Sequence, residues 1–100
     1  MIKHVILWKL KEELSEAEKA LIKENMKREL EGLKGKVPGL LEMTIQISPL
    51  AGSNAEVMLD SILESEEALK GYAVHPEHVR VADNFVRPYT QVRMCMDYEI

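Results

Sequence analysis

Four segments in which apolar and polar residues alternate, two intervening stretches with apolar residues three or four positions apart, and a serine ahead of each such stretch predict an α+β fold in the order β-α-β-β-α-β. That order closes into a four-stranded antiparallel sheet with both helices on one face.

Residues 2–10, Ile-Lys-His-Val-Ile-Leu-Trp-Lys-Leu, put Ile2, His4, Ile6, Trp8 and Leu10 on one strand face and Lys3, Val5, Leu7 and Lys9 on the other. Apolar residues on both faces indicate a central strand, with His4 in the more apolar set. Ser15 and Glu18 then form a capping box for a helix beginning at Glu16. Its predicted buried stripe is Ile22, Met26, Leu30 and Leu33, with Ala17 and Leu21 alongside. Gly35 suits the left-handed conformation that ends helices, and Val37-Pro38-Gly39 breaks the chain.

From Leu41 to Ser48, Leu41, Met43, Ile45 and Ile47 alternate with Glu42, Thr44, Gln46 and Ser48, which is a strand pattern. After a loop over 49–54, Val57 to Glu64 resumes the alternation, so the two strands read as a hairpin. Ser65 caps the second helix, and Glu66 and Glu67 oppose the positive end of its dipole. That helix carries Ala68, Leu69, Tyr72 and Ala73. Pro76 disfavours a helical His75, so the helix breaks there and restarts with Pro76 in its first turn, bearing Val79, Ala82, Phe85 and Val86. Arg87-Pro88 stops it, and Thr90 to Glu99 forms the last strand, with Val92, Met94, Met96 and Tyr98 opposite Gln91, Arg93, Cys95 and Asp97.

This is the ferredoxin-like order, with residues 1–100 as one domain. With both helices on one sheet face, the other face, carrying Val5 and Leu7, is left for a second subunit. A homodimer joined through that face would close into an α+β barrel.

Hydrophobic residues make up 46% of the 100 residues, enough for a core of modest size. Seventeen acidic against 13 basic side chains give a net charge of −4, and no stripe of Lys and Arg exists, so nucleic acid is excluded as a partner. No apolar run approaches the roughly 20 residues of a membrane span, and the N-terminus lacks the apolar region of a signal peptide, so no membrane partner and a cytoplasmic location are expected. Cys95 is the sole cysteine, without a Cys or His neighbour at metal-ligand spacing, and reads as a reduced, buried thiol. Asp60, Glu64 and Asp97 are scattered by strand alternation, and the glycines form no phosphate-binding loop.

Proton-transfer chemistry is concentrated in Tyr72-Ala-Val-His75-Pro76-Glu77-His78-Val79, which holds two of the three histidines. His75 is accounted for by the helix break. Tyr72 and His78 flank that break and suit proton abstraction beside a carbonyl, His78 as base and Tyr72 as donor to the enolate oxygen. The N-terminal end of the restarted helix is expected to keep His78 neutral. Each of these residues, and His4 on its apolar face, also has a purely structural reading as a hydrogen-bonded core group.

The opening Met-Ile-Lys-His-Val-Ile-Leu-Trp-Lys-Leu, Glu64-Ser-Glu-Glu-Ala-Leu69, Tyr72-x-x-His75-Pro76-x-His78-Val79, Phe85-Val86-Arg87-Pro88 and Asp97-Tyr98 together resemble the stress-responsive dimeric α+β barrel (Dabb) family over essentially the whole chain. The resemblance implies a homodimer. The family includes plant polyketide (olivetolic acid) cyclases, which act by aldol condensation, and many bacterial members of unassigned activity. Carried over, the cyclase likeness makes His78 the general base, Tyr72 its hydroxyl partner and His4 a polar group on the wall of a pocket formed with Ile6, Trp8, Met26, Val79 and Phe85. Trp8 is bulkier than the aliphatic residue of the cyclases, and Met26 stands where they have a second pocket tyrosine. Those differences direct the expectation from a polyketide to a small hydrophobic carbonyl compound. Plant members bind magnesium at the turn after the first helix, but 35–39 has no acidic side chain here, so no metal and no cofactor are expected. The resulting expectation is cofactor-independent acid–base chemistry of cyclase or aldol type. The competing one is a non-catalytic binding or structural homodimer.

Overall fold

The computed structural model describes residues 1–100. Strand β1 (Ile2–Leu10) is followed by helix α1 (Glu16–Glu31), strands β2 (Leu40–Gln46) and β3 (Val57–Leu63), helices α2 (Glu66–Val74) and α3 (Pro76–Val81), and strand β4 (Thr90–Glu99). The sheet has four strands in the order β2-β3-β1-β4, antiparallel throughout, which is the ferredoxin-like topology. β1 is central, as its two apolar faces predict.

Both halves of the α1 capping box form: the Glu18 N–H donates to Ser15 Oγ at 3.1 Å, and the Ser15 N–H donates to Glu18 Oε1 at 3.0 Å. Ile22, Met26, Leu30 and Leu33 are buried as expected, but Ala17 and Leu21 are exposed. At about 100° per residue, Leu21 and Ala17 lie roughly 140° and 180° from the centre of the buried stripe, on the solvent side. α1 ends at Glu31, before Gly35, which takes its left-handed conformation (φ +89°) in the following turn.

A register shift between Leu40 and Glu42 also alters the expected β2 alternation. The bulge sends Leu40 into the core and leaves Leu41 exposed, while Met43 and Ile45 face inward as expected. The strand stops at Gln46, and Ile47 packs against the core from beyond it.

α2 is capped by Ser65, whose Oγ accepts from the Ala68 N–H at 3.1 Å. At the break, His75 is extended (φ −64°, ψ 133°), and its Nδ1 accepts from the Glu77 N–H at 3.1 Å, so it caps α3. α3 then runs into a π-helical turn, Ala82–Val86, in which the Arg87 N–H donates to the Ala82 carbonyl five residues back, and a short 3-10 turn at Arg87–Tyr89. The wide turn shifts the buried face. Val81, Ala82 and Val86 point inward, whereas Val79 and Phe85 are half-buried at its margin.

The helices pack against one face of β2 and β3 and enclose a cluster of 17 buried apolar residues. β4 is an edge strand, and its residues 91–99 are exposed. Cys95 is therefore exposed rather than buried, because no helix covers its end of the sheet. On the open face, Leu7, Val92, Met94, Met96 and Tyr98 form an exposed apolar stripe along β1 and β4.

Candidate functional site

The break at His75-Pro76 reverses the chain enough to stack residues six apart. The rings of Tyr72 and His78 lie 4.3 Å apart, centroid to centroid, at 40°. Tyr72 belongs to the buried face of α2, and its ring meets His4 of β1 edge-on at 6.0 Å and 68°. The fold thus brings His4, Tyr72 and His78, distant in sequence, to one place.

His78 Nδ1 lies 3.1 Å from the Ala73 carbonyl, which accepts from Nδ1–H and leaves the Nε2 lone pair free. Burial depresses the affinity of His78 for a second proton below the ordinary histidine range; the charges of Arg87, His4 and Arg93 act in the same direction, against the Ala73 bond. Neutral imidazole is therefore the form present at pH 7. The sequence points to the helix N-terminus as the cause; in the structure burial comes first, and α3 has only 6 residues.

Tyr72 is 2% exposed, and its hydroxyl has no hydrogen-bond partner. Burial pushes its ionisation well above the ordinary tyrosine value, with Arg93 opposing weakly, so the hydroxyl stays a neutral donor. An orphaned buried hydroxyl costs about 1–3 kcal/mol, a free energy that a ligand oxygen accepting from it would recover.

Beside these rings lies a cavity of about 300 Å³, lined by Ile6, Trp8, Leu30, Leu59, Tyr72, His78, Ala82, Val86, Arg87, Thr90 and Arg93. Trp8 forms a wall without filling the space. Of the other residues expected to line it, Ile6 does. Met26 does not, being wholly enclosed in the core on α1, and the half-buried Val79 and Phe85 lie outside the lining.

His4 also lies off the wall, behind the Tyr72 ring. Its Nδ1 is hydrogen-bonded to Asp97 Oδ1, and its backbone carbonyl accepts from Ser61 Oγ at 2.9 Å. The Cys95 Sγ is 3.8 Å from the same Nδ1 and 3.5 Å from Asp97 Oδ1, so the fold supplies the histidine neighbour that sequence spacing denied this cysteine. Possible ligand atoms of His4, Cys95 and Asp97 lie within 4.8 Å of one another. A cation there would have to displace the His4–Asp97 bond and deprotonate a thiol whose ionisation is pushed up by partial desolvation and by the Asp97 charge. Asp97, Arg87 and Arg93 were missed as site residues. The β1–β4 register sets His4 opposite Asp97 and Trp8 opposite Arg93, and the sequence alone does not fix that register.

The sequence model of a family described as the stress responsive A/B barrel domain matches residues 2–100. No curated protein sequence matches the chain. Among solved structures, a dimeric protein of unknown function with a ferredoxin-like fold from Bacteroides fragilis is similar with 28% identity and a TM-score of 0.92, over 99% of this chain and 95% of that one. A Dabb family protein from Mesorhizobium loti superposes with a TM-score of 0.78 at 15% identity, over 99% and 95%. A hydroxynitrile lyase from Passiflora edulis does so with a TM-score of 0.78 at 14% identity, over 99% and 92%. The latter two likenesses are of fold alone.

Proposed function

Because the chain belongs to the stress responsive A/B barrel domain family over residues 2–100, we propose that its cavity carries out cofactor-independent acid–base chemistry on a small carbonyl compound. His78 Nε2 removes a proton from the carbon next to the carbonyl. The C–H electron pair becomes the enolate, and the Tyr72 hydroxyl donates to the enolate oxygen. His78, then protonated, returns the proton to carbon or to the product oxygen. His4, fixed by Asp97, supports the edge of the Tyr72 ring and is a positioning residue.

The observation that carries this reading is Tyr72: its hydroxyl is buried without a partner, its ring stacks on that of His78, and both residues line one cavity. A purely structural tyrosine at such a depth would be expected to have a hydrogen bond. The competing structural reading fits His75, whose side chain caps α3.

The test is proton–deuterium exchange at the benzylic carbon of phenylacetone in D2O, followed by NMR. The wild-type protein should accelerate exchange, and His78→Asn should lower the rate by about 10²-fold or more, in the range of a general base. No acceleration by the wild-type protein would leave the non-catalytic binding protein as the better reading, and undiminished exchange in His78→Asn would remove His78 as the base.

The assembly we propose is a homodimer through the open sheet face. The exposed stripe of Leu7, Val92, Met94, Met96 and Tyr98 supports it, as does the description of the Bacteroides fragilis relative as dimeric.

A further inference from the structure

The cavity wall includes Arg87, Arg93 and His78 and no carboxylate, in a chain whose net charge is −4. Arg87 is engaged by Asp83, one helical turn earlier. Arg93 takes part in none of the chain's nine ion pairs. It sits opposite Trp8 in the β1–β4 register, so its side chain leaves the sheet on the cavity face. Its charge reaches both Tyr72 and His78.

Tyr72, whose buried hydroxyl has no partner, and Arg93, whose exposed guanidinium is held by no carboxylate, line the same cavity. Ile6, Trp8, Leu30 and Leu59 supply an apolar wall. A neutral ketone would satisfy only the hydroxyl. A guanidinium is matched by a planar carboxylate, which it can bind through two parallel hydrogen bonds.

We propose that the cavity takes a small keto acid with an apolar tail, its carboxylate held by Arg93 and its keto oxygen by the Tyr72 hydroxyl. This rests on the acid–base reading above and names its substrate class. The reaction is keto–enol isomerisation or its carbon–carbon equivalent. His78 Nε2 takes the proton from the carbon beside the keto group as the C–H pair forms the carbon–carbon π bond. The carbonyl π pair moves to oxygen, and return of the proton there gives the enol without any co-reactant.

The probes are phenylpyruvate and its methyl ester, which differ by one negative charge. Calorimetric titration of the wild-type protein should show phenylpyruvate binding at least about tenfold more tightly than the ester, the worth of one charge-assisted contact. Arg93→Gln should abolish that preference. Because Arg93 is exposed on an edge strand, the variant should keep the wild-type melting temperature, which a thermal scan verifies. Equal affinity for acid and ester, a preference that survives Arg93→Gln, or no binding of either compound would overturn the proposal.

Benzylic proton exchange in His78→Asn separates the two layers of the inference. If His78-dependent exchange is seen with acid and ester bound equally, the acid–base reading stands and the keto-acid assignment falls. If the acid is preferred through Arg93 while exchange is indifferent to His78→Asn, the anion site stands and the base is misassigned.

Discussion

The contact between the Tyr72 and His78 rings is local. Six residues and one proline set the geometry, and Pro76 announces the break that folds them together. His75 was legible for the same reason, and its Nδ1 replaces a lost backbone partner at the start of α3. His75→Ala should therefore lower stability by about 1 kcal/mol, measured by urea unfolding, and leave proton exchange intact. Tyr72→Phe should behave in the opposite way. It removes a buried hydroxyl that has no partner, so it should raise stability by about 1 kcal/mol while slowing exchange. Asp97 and Arg93 were not legible, because their roles depend on a pairing between strands at opposite ends of the chain, where a shift of one residue would point both away.

At the scale of elements, caps and the helix break followed from local side-chain chemistry, while the bulge at Leu40–Glu42 and the π-helical turn at Ala82–Val86 did not. Each inserts one residue into a regular pattern, and the bulge accounts for the exposed Leu41. The junction between α1 and edge strand β2 shows how such packing is fixed. Lys27 Nζ donates to the Ile45 carbonyl at 2.8 Å, and Glu31 Oε2 accepts from the Ile45 N–H at 3.0 Å, so two side chains satisfy the free backbone groups of one edge residue. Burial alone would raise the Glu31 carboxyl; Lys27 and the Ile45 N–H bring it below the usual carboxylate range. Glu31→Ala should cost about 1 kcal/mol in urea unfolding by orphaning that N–H. At Gly39, with φ +81°, an added Cβ would stand 2.6 Å from the Ala68 Cβ. Gly39→Ala should therefore separate α2 from the turn before β2 and destabilise by more than 1 kcal/mol, roughly the strain of one unfavourable backbone conformation.

For the molecule as a whole, the topology was legible because the order of elements admits few arrangements. The sequence also pointed to the open face through Val5 and Leu7, although the larger exposed stripe comes from β4, with Met94 and Met96 at 66% and 68% exposure. If that face joins two subunits, Met94→Lys with Met96→Lys should convert the dimer to a monomer in light scattering, and an unchanged mass would place the interface elsewhere. The edge position of β4 links this assembly to the cavity, since the strand carries Met94 and Met96 on one face and Arg93, Cys95 and Asp97 on the other.

The chemistry depends on His78 being neutral. Its folded-state proton affinity is depressed, so the unfolded chain binds the proton more readily. Its contribution to stability is therefore full above the ordinary histidine value of about 6.5 and declines as pH falls below it, toward the depressed folded value. Activity should follow the same proton. The most direct measurement is the pH profile of phenylacetone proton exchange set beside the NMR titration of the His78 Cε1 proton. A base at His78 predicts one acidic limb with a midpoint below about 6.5 that coincides with the ring titration. A limb displaced from that titration, or a rate flat across it, would contradict the assignment of His78 as the base.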